Sequence, residues 1–279
     1  MKQTAPCLGF GLALALLLSG CAKTSPEQMQ AAADDAAKSA LIGQTAAGVL
    51  WTQQSGEYRA LAYQAFNVAT VAYDQAKVKK GQKKAVVVDL DETMIDNSPH
   101  AAWQVLNGKT FNPDTWTKWV EAKEARAIPG AVEFAHHVVN RGGKVYYVSN
   151  RKTGAEYQPT VDNLKALGFP DVTEQTLLLK EKSSNKDERF AVPATQGYTV
   201  VLYVGDNLGD FAGEPTYRKS NADRRAFVDA HRADFGVKYV VLPNPTYGDW
   251  EGGLADGYYK LTPQEQENVR RSILDAWKP

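Results

Sequence analysis

The chain has 279 residues, 43% of them hydrophobic, and 32 Lys plus Arg balance 32 Asp plus Glu. That length and composition suit a globular protein with a sizeable core. A neutral balance with no basic stripe leaves no field to hold a polyanion, which excludes nucleic acid as a partner.

Lys2 gives the start a positive charge, and Leu8 to Leu18 form an apolar run too short to span a bilayer, so residues 1–20 read as a signal peptide. Leu18-Ser19-Gly20-Cys21 resembles a bacterial lipobox, with Cys21 as the acylated first residue of the mature protein. Acyl chains on Cys21 would anchor the protein to a membrane without a spanning helix, and no later stretch is apolar enough to span. Ala22 after Cys21 is compatible with export to the outer membrane, the face being left open. The other cysteine, Cys7, lies in the segment to be removed, which excludes disulfides, thiolate catalysis and Cys-ligated zinc.

Residues 21–50 are rich in Ala, Gln and Asp and poor in bulky apolar side chains, and read as a mobile tether followed by a weak helix. Trp51, Tyr58, Leu61, Ala65, Val68 and Tyr73 recur at helical spacing, which predicts a helix over 51–80 packed on the core and stopped by Gly81. The main domain, 83–279, then alternates: strands at 85–90, 144–149, 176–180, 199–205 and 238–242, with helices near 130–140, 158–167, 185–196 and 221–234. That rhythm predicts an α/β fold with a doubly wound parallel sheet. The insertion at about 96–128, carrying His100, Trp103, Phe111, Trp116 and Trp119, is too long for a simple crossover and reads as a helical cap over the strand ends.

Two acidic clusters follow apolar runs: Val87-Val88-Asp89-Leu90-Asp91-Glu92-Thr93 and Val204-Gly205-Asp206-Asn207-Leu208-Gly209-Asp210. Both runs read as buried parallel strands, which places the acids at the sheet edge where open α/β sheets bind ligands. An Asp there can attack phosphorus and form an aspartyl phosphate, and Asp89 is the candidate nucleophile. Asp91 is placed to protonate the leaving oxygen and later to take a proton from water. Each of these acids has a plainer reading as a helix cap, and Glu92 reads as a solvated neighbour.

Carboxylates meeting a phosphate dianion call for a hard cation, and an oxygen-only donor set suits one Mg²⁺. Asp89 and Asp206 are its expected side-chain ligands, the Asp91 carbonyl a third, and Asp210 binds directly or orients a metal-bound water. The donors expected on the phosphoryl oxygens are the Ser149 hydroxyl, an N–H at a turn around Asn150, and Lys186 in preference to Lys182. His100, His136, His137 and His231 lack paired ligand spacing and read as structural or surface residues.

These strings resemble the haloacid dehalogenase superfamily and, within it, the class C nonspecific acid phosphatases, bacterial lipoproteins of the four-aspartate type. Val87 through Asn97 is similar to the family's first signature and Gly205 through Phe211 to its second, with Ser149-Asn150-Arg151 and Lys186 at its phosphate-binding positions. Ile95 and His100 depart from the family's usual Leu and Tyr. The resemblance implies Mg²⁺-dependent hydrolysis of phosphate monoesters at acid pH outside the cytoplasm, often of nucleoside 5′-monophosphates and nicotinamide nucleotides. It also implies that Trp116 and Tyr247 flank the substrate's base or ring. The competing readings are a non-catalytic surface lipoprotein that binds haem or a nucleotide, and a phosphotransferase on the same scaffold. A homodimer is compatible with either, with no residue to mark its interface.

Overall fold

The computed structural model describes residues 25–213 and 215–278; the expected signal peptide and Cys21 lie outside the described residues. Helix α1 (Pro26–Gln54) opens on a capping box, the Ser25 hydroxyl accepting from the Gln28 N–H while the Gln28 side chain accepts from the Ser25 N–H. The stretch expected to be a tether and weak helix is therefore one long helix from residue 26 onward. The reason is that alanine is the strongest helix former, and that Ala37, Leu41, Gly48 and Val49 are buried. Ser55 ends α1 and caps α2 (Gly56–Gln75) by accepting from the Tyr58 N–H at 3.0 Å. The single helix expected over 51–80 is thus the last turn of α1 followed by α2.

The chain then runs β1 (Lys83–Val88), β2 (Ile95–Asp96), α3 (Ser98–Leu106), α4 (Pro113–Ala122), β3 (Arg126–Ala127), α5 (Ala131–Asn140), β4 (Lys144–Lys152), α6 (Tyr157–Ala166) and β5 (Leu177–Lys180). It continues through α7 (Asp187–Phe190), α8 (Val192–Thr195), β6 (Tyr198–Gly205), α9 (Gly209–Ala212), α10 (Asn221–Ala230), β7 (Tyr239–Val241), α11 (Asp249–Gly252) and α12 (Pro263–Ser272). The helix expected over 185–196 is instead the pair α7 and α8, because Pro193 has no N–H to donate and its ring crowds the carbonyl four residues back.

One sheet has the order β5-β4-β1-β6-β7 with every pairing parallel. The chain builds outward from β1 to β5 on one side and from β6 to β7 on the other, so the order reverses beside β1 and opens a crevice between β1 and β6. Alternate residues of β1 face opposite layers. Val86 and Val88 pack with Phe66, Tyr73, Phe134 and Val138, and Ala85 and Val87 pack with Tyr146, Val148, Phe190 and Val192. Burial on both faces is why these strands read as unbroken apolar runs.

Strands β2 and β3 pair antiparallel, Ile95 with Ala127 and Asp96 with Arg126, and close the base of an insertion that carries α3 and α4. Helix α1 packs against both α3 and α12. From α12, Glu267 accepts from the Gln44 amide at 2.8 Å and Arg270 donates to it at 2.6 Å. Among the described residues, no helix is long and apolar enough to cross a membrane.

Candidate active site

Register brings the two acidic clusters together. Val88 lies beside Val204, and the Asp89 N–H donates to the Val204 carbonyl at 2.9 Å, so the chain leaves β1 at Asp89 and β6 at Asp206 on the same edge. Asp210 follows in α9, and carboxylate oxygens of Asp89, Asp206 and Asp210 all lie within 4.8 Å of one another. Gly205 makes this possible, since a Cβ there would overlap the Asp210 side chain.

Lys186, at the start of α7, is buried among these acids and donates to Asp89 and, at 2.7 Å, to Asp210. Asp206 accepts from the Thr93 hydroxyl at 3.1 Å and the Asn244 amide at 2.9 Å, and Asp210 accepts from the Asn207 N–H at 2.9 Å. Burial, with Asp210 and Asp206 adding repulsion against the pull of Lys186, holds the Asp89 carboxyl well above its ordinary value. Burial and then Asp210 push Asp206 up to about 7. Burial alone would lower Lys186, but Asp210 and Asp89 outweigh it and raise the ammonium above its usual range. Three carboxylates face one ammonium, all donors are hard oxygens, and the excess negative charge is what a divalent cation would neutralise.

Asp91 sits beside this cluster, held by donors. Arg151 reaches one carboxylate oxygen through Nε at 2.9 Å and Nη2 at 2.8 Å, the Asn97 amide reaches the same oxygen at 2.9 Å, and the Ser149 hydroxyl donates to the other at 3.1 Å. The Ser149 hydroxyl, expected to meet a phosphoryl oxygen, is thus turned to Asp91. Asn150 lies within β4 rather than in a turn, at an irregularity in its pairing with β5, and its side chain accepts from Arg189 at 2.8 Å.

A cavity of about 1090 Å³ opens over the cluster and is lined by Asp89, Lys186, Asn150, Trp116, Tyr247 and His100 among others. Trp116 lies under the Arg151 guanidinium, 5.5 Å from its ring centroid, and the Tyr247 hydroxyl donates to Glu92. One expectation is corrected here. Glu92 is 5% exposed, not solvated, because the turn folds it under the loop that carries Tyr247. Of the two readings open for His100, structural or surface, the structure has it buried: it is 7% exposed, lines the cavity, and lies against Trp103, Trp116 and Trp119. The other histidines serve structure, His136 meeting the Gly168 carbonyl, His137 pairing with Asp74, and His231 meeting the Phe227 carbonyl. Arg151, Asn97 and Asn244 are site residues that spacing does not single out, although Arg151 and Asn97 stand in strings quoted above.

A doubly wound α/β protein with an aspartate cluster and a buried lysine at its switch point, roofed by a helical cap, is the class that fold and site define. Residues 10–250 match the family model described as HAD superfamily, subfamily IIIB (acid phosphatase), and the chain belongs to that family. It is similar to the class C acid phosphatase of Bacillus anthracis, at 39% identity and a TM-score of 0.80, over 85% of this chain and 99% of that one. A second structure of that Bacillus anthracis enzyme, with tungstate bound, matches equally. Acid phosphatase 1 of Solanum lycopersicum is 26% identical over 166 residues, 58% of this chain. The match spans 57% of that protein's length.

Proposed function

We propose that this protein is a Mg²⁺-dependent acid phosphatase that hydrolyses phosphate monoesters through an aspartyl phosphate on Asp89. The observation that carries the reading is the convergence of Asp89, Asp206 and Asp210 on one point beside buried Lys186. Membership of the acid phosphatase family, and the tungstate-bound structure of a similar enzyme, support it. The side chains of Asp89, Asp206 and Asp210, with the Asp91 carbonyl, would hold the ion. Bound there, Mg²⁺ would offset the repulsion between these acids and the ester dianion.

An Asp89 oxygen attacks phosphorus as the bond from phosphorus to the alcohol oxygen breaks, and Asp91 gives its proton to that oxygen. Water then attacks phosphorus, Asp91 takes its proton, and the bond from Asp89 breaks to release inorganic phosphate. Arg151, Asn97 and Ser149 keep Asp91 aimed through both steps. Lys186 and Asn150 supply donors to the phosphoryl oxygens.

The cavity's aromatic lining favours esters that carry a planar ring, nucleoside 5′-monophosphates and nicotinamide nucleotides among them, between Trp116 and Tyr247. The Tyr247 hydroxyl is engaged by Glu92, which leaves the ring faces for stacking. The lipobox-like Leu18-Ser19-Gly20-Cys21 supports a location on the bacterial outer membrane, held by acyl chains on Cys21.

Phosphate release from p-nitrophenyl phosphate tests the chemistry. It is expected to vanish in EDTA and in Asp89→Asn, and undiminished turnover in either would end the reading. A panel of 5′-nucleotides, 3′-nucleotides and sugar phosphates, with Trp116→Ala and Tyr247→Ala alongside, tests the substrate class, which equal rates on every ester would sink.

A further inference from the structure

Two buried side-chain nitrogens, His100 Nε2 and Gln104 Nε2, have no hydrogen-bond partner among the described residues. Both belong to α3, four positions apart, so the two side chains leave the same face of the cap helix one turn from each other. Both residues line the cavity over the aspartate cluster. An unpartnered buried polar atom is destabilising, so two of them on one face of one cavity call for an explanation.

The surroundings say what would satisfy them. The imidazole of His100 stacks near Trp103 at 19° between ring planes and meets Trp116 edge-on at 5.4 Å between centroids, so the environment is flat and aromatic. Burial pushes the imidazole below its ordinary value, which leaves it neutral near pH 7, with Nε2 able to donate or accept according to tautomer. The Gln104 amide is neutral as well and can present either its NH₂ or its oxygen. A charged group would find no counter-charge in this pair, whereas a ring rim with adjacent N–H and C=O groups would match both.

We propose that His100 and Gln104 form a neutral hydrogen-bonding edge in the cap that reads the amide-like rim of a planar ring carried by the phosphate ester. This edge rests on the phosphatase reading above and adds a discrimination that stacking cannot provide, since aromatic faces accept any ring. Glutamine is long and unbranched, and a rotamer change is enough to turn its amide toward a bound ring. Discrimination of this kind is strong because a ring without the rim leaves the buried nitrogens unpaired.

The test compares kcat/KM for uridine 5′-monophosphate, ribose 5-phosphate and phenyl phosphate in the wild type, His100→Phe and Gln104→Leu, with melting temperatures at pH 7.5. Each variant is expected to lose about tenfold more on the uridine ester than on phenyl phosphate or ribose 5-phosphate. Melting temperatures should hold or rise, because each change removes an orphaned polar group. Equal losses on all three esters, or losses on ribose 5-phosphate that match those on the nucleotide, would overturn the proposal. No turnover of any ester by the wild type would instead end the phosphatase reading, and this edge with it.

Discussion

The Tyr247 hydroxyl donates to the Glu92 carboxylate, joining residues 155 positions apart in the chain. The other oxygen of Glu92 accepts from the Asn97 N–H at 2.8 Å, and Glu92 itself adopts a left-handed φ of 60°. One carboxylate therefore ties the turn after the nucleophile to the start of the cap and to the loop whose Asn244 holds Asp206. Tyr247→Phe keeps the ring and loses the tie. Its KM for ring-bearing esters should rise about fivefold while kcat stays within about twofold, the worth of roughly 1 kcal/mol of hydrogen bond. A fall in kcat with KM unmoved would place Tyr247 in the chemical step instead.

Gly205 should tolerate no side chain. Its missing Cβ is where the Asp210 side chain lies, and Asp210 also binds Lys186. In Gly205→Ala either the α9 turn shifts or Asp210 rotates away from Asp89 and Asp206. Overpacking of this kind costs about 1–3 kcal/mol, so urea midpoints should fall, and Mg²⁺ affinity measured by calorimetry should fall about tenfold or more. Native affinity in Gly205→Ala would remove Asp210 from the metal site.

The strands and the acids at their ends are legible in the sequence for one physical reason. A parallel strand buried on both faces is a near-continuous apolar run, and the first polar residue after it marks the sheet edge; Val88-Asp89 and Gly205-Asp206 both show this. Helix α1 is not legible in that way, because its buried face is made of Ala37, Leu41, Gly48 and Val49, too few of them bulky to raise an apolar periodicity over 29 residues, and its start depends on a capping box. Glu92 and His100 escape sequence reading because their burial is tertiary. One is covered by Tyr247 from the far end of the chain, and the other by indoles of the cap.

Metal binding should compete with protons. Burial and the neighbouring Asp210 raise Asp206 to about 7, so below that pH its carboxyl holds a proton that a divalent cation bound there would have to displace. Apparent affinity should weaken as pH falls from 7 to 5, by about tenfold per unit for each proton displaced. Asp89 in the same cluster is also held high, so calorimetry in buffers of different ionisation enthalpy should count at least one proton released at pH 6 and fewer at pH 8.5. An enzyme that works at acid pH would then need more free metal there than at neutrality. Affinity that stays flat from pH 5 to 8 would sink the assignment of Asp206 as a ligand.

His100 sets an acid limit on stability that can be measured apart from catalysis. Burial alone lowers its value from the ordinary 6.5, so the folded protein resists a proton that the unfolded chain accepts. The unfolded state therefore binds more protons in the window from 6.5 down to the depressed folded value. Stability is whole above 6.5, is lost as pH falls through that window, and loses no more from this group below it. His100→Phe keeps an aromatic ring among Trp103, Trp116 and Trp119 and removes the titration. Melting temperatures of wild type and variant should run parallel from pH 8 to 6.5 and then diverge, the variant gaining relative to the wild type toward pH 5. Curves that stay parallel throughout would mean that the imidazole is hydrated or paired in solution, and that the cap is more open than its packing indicates.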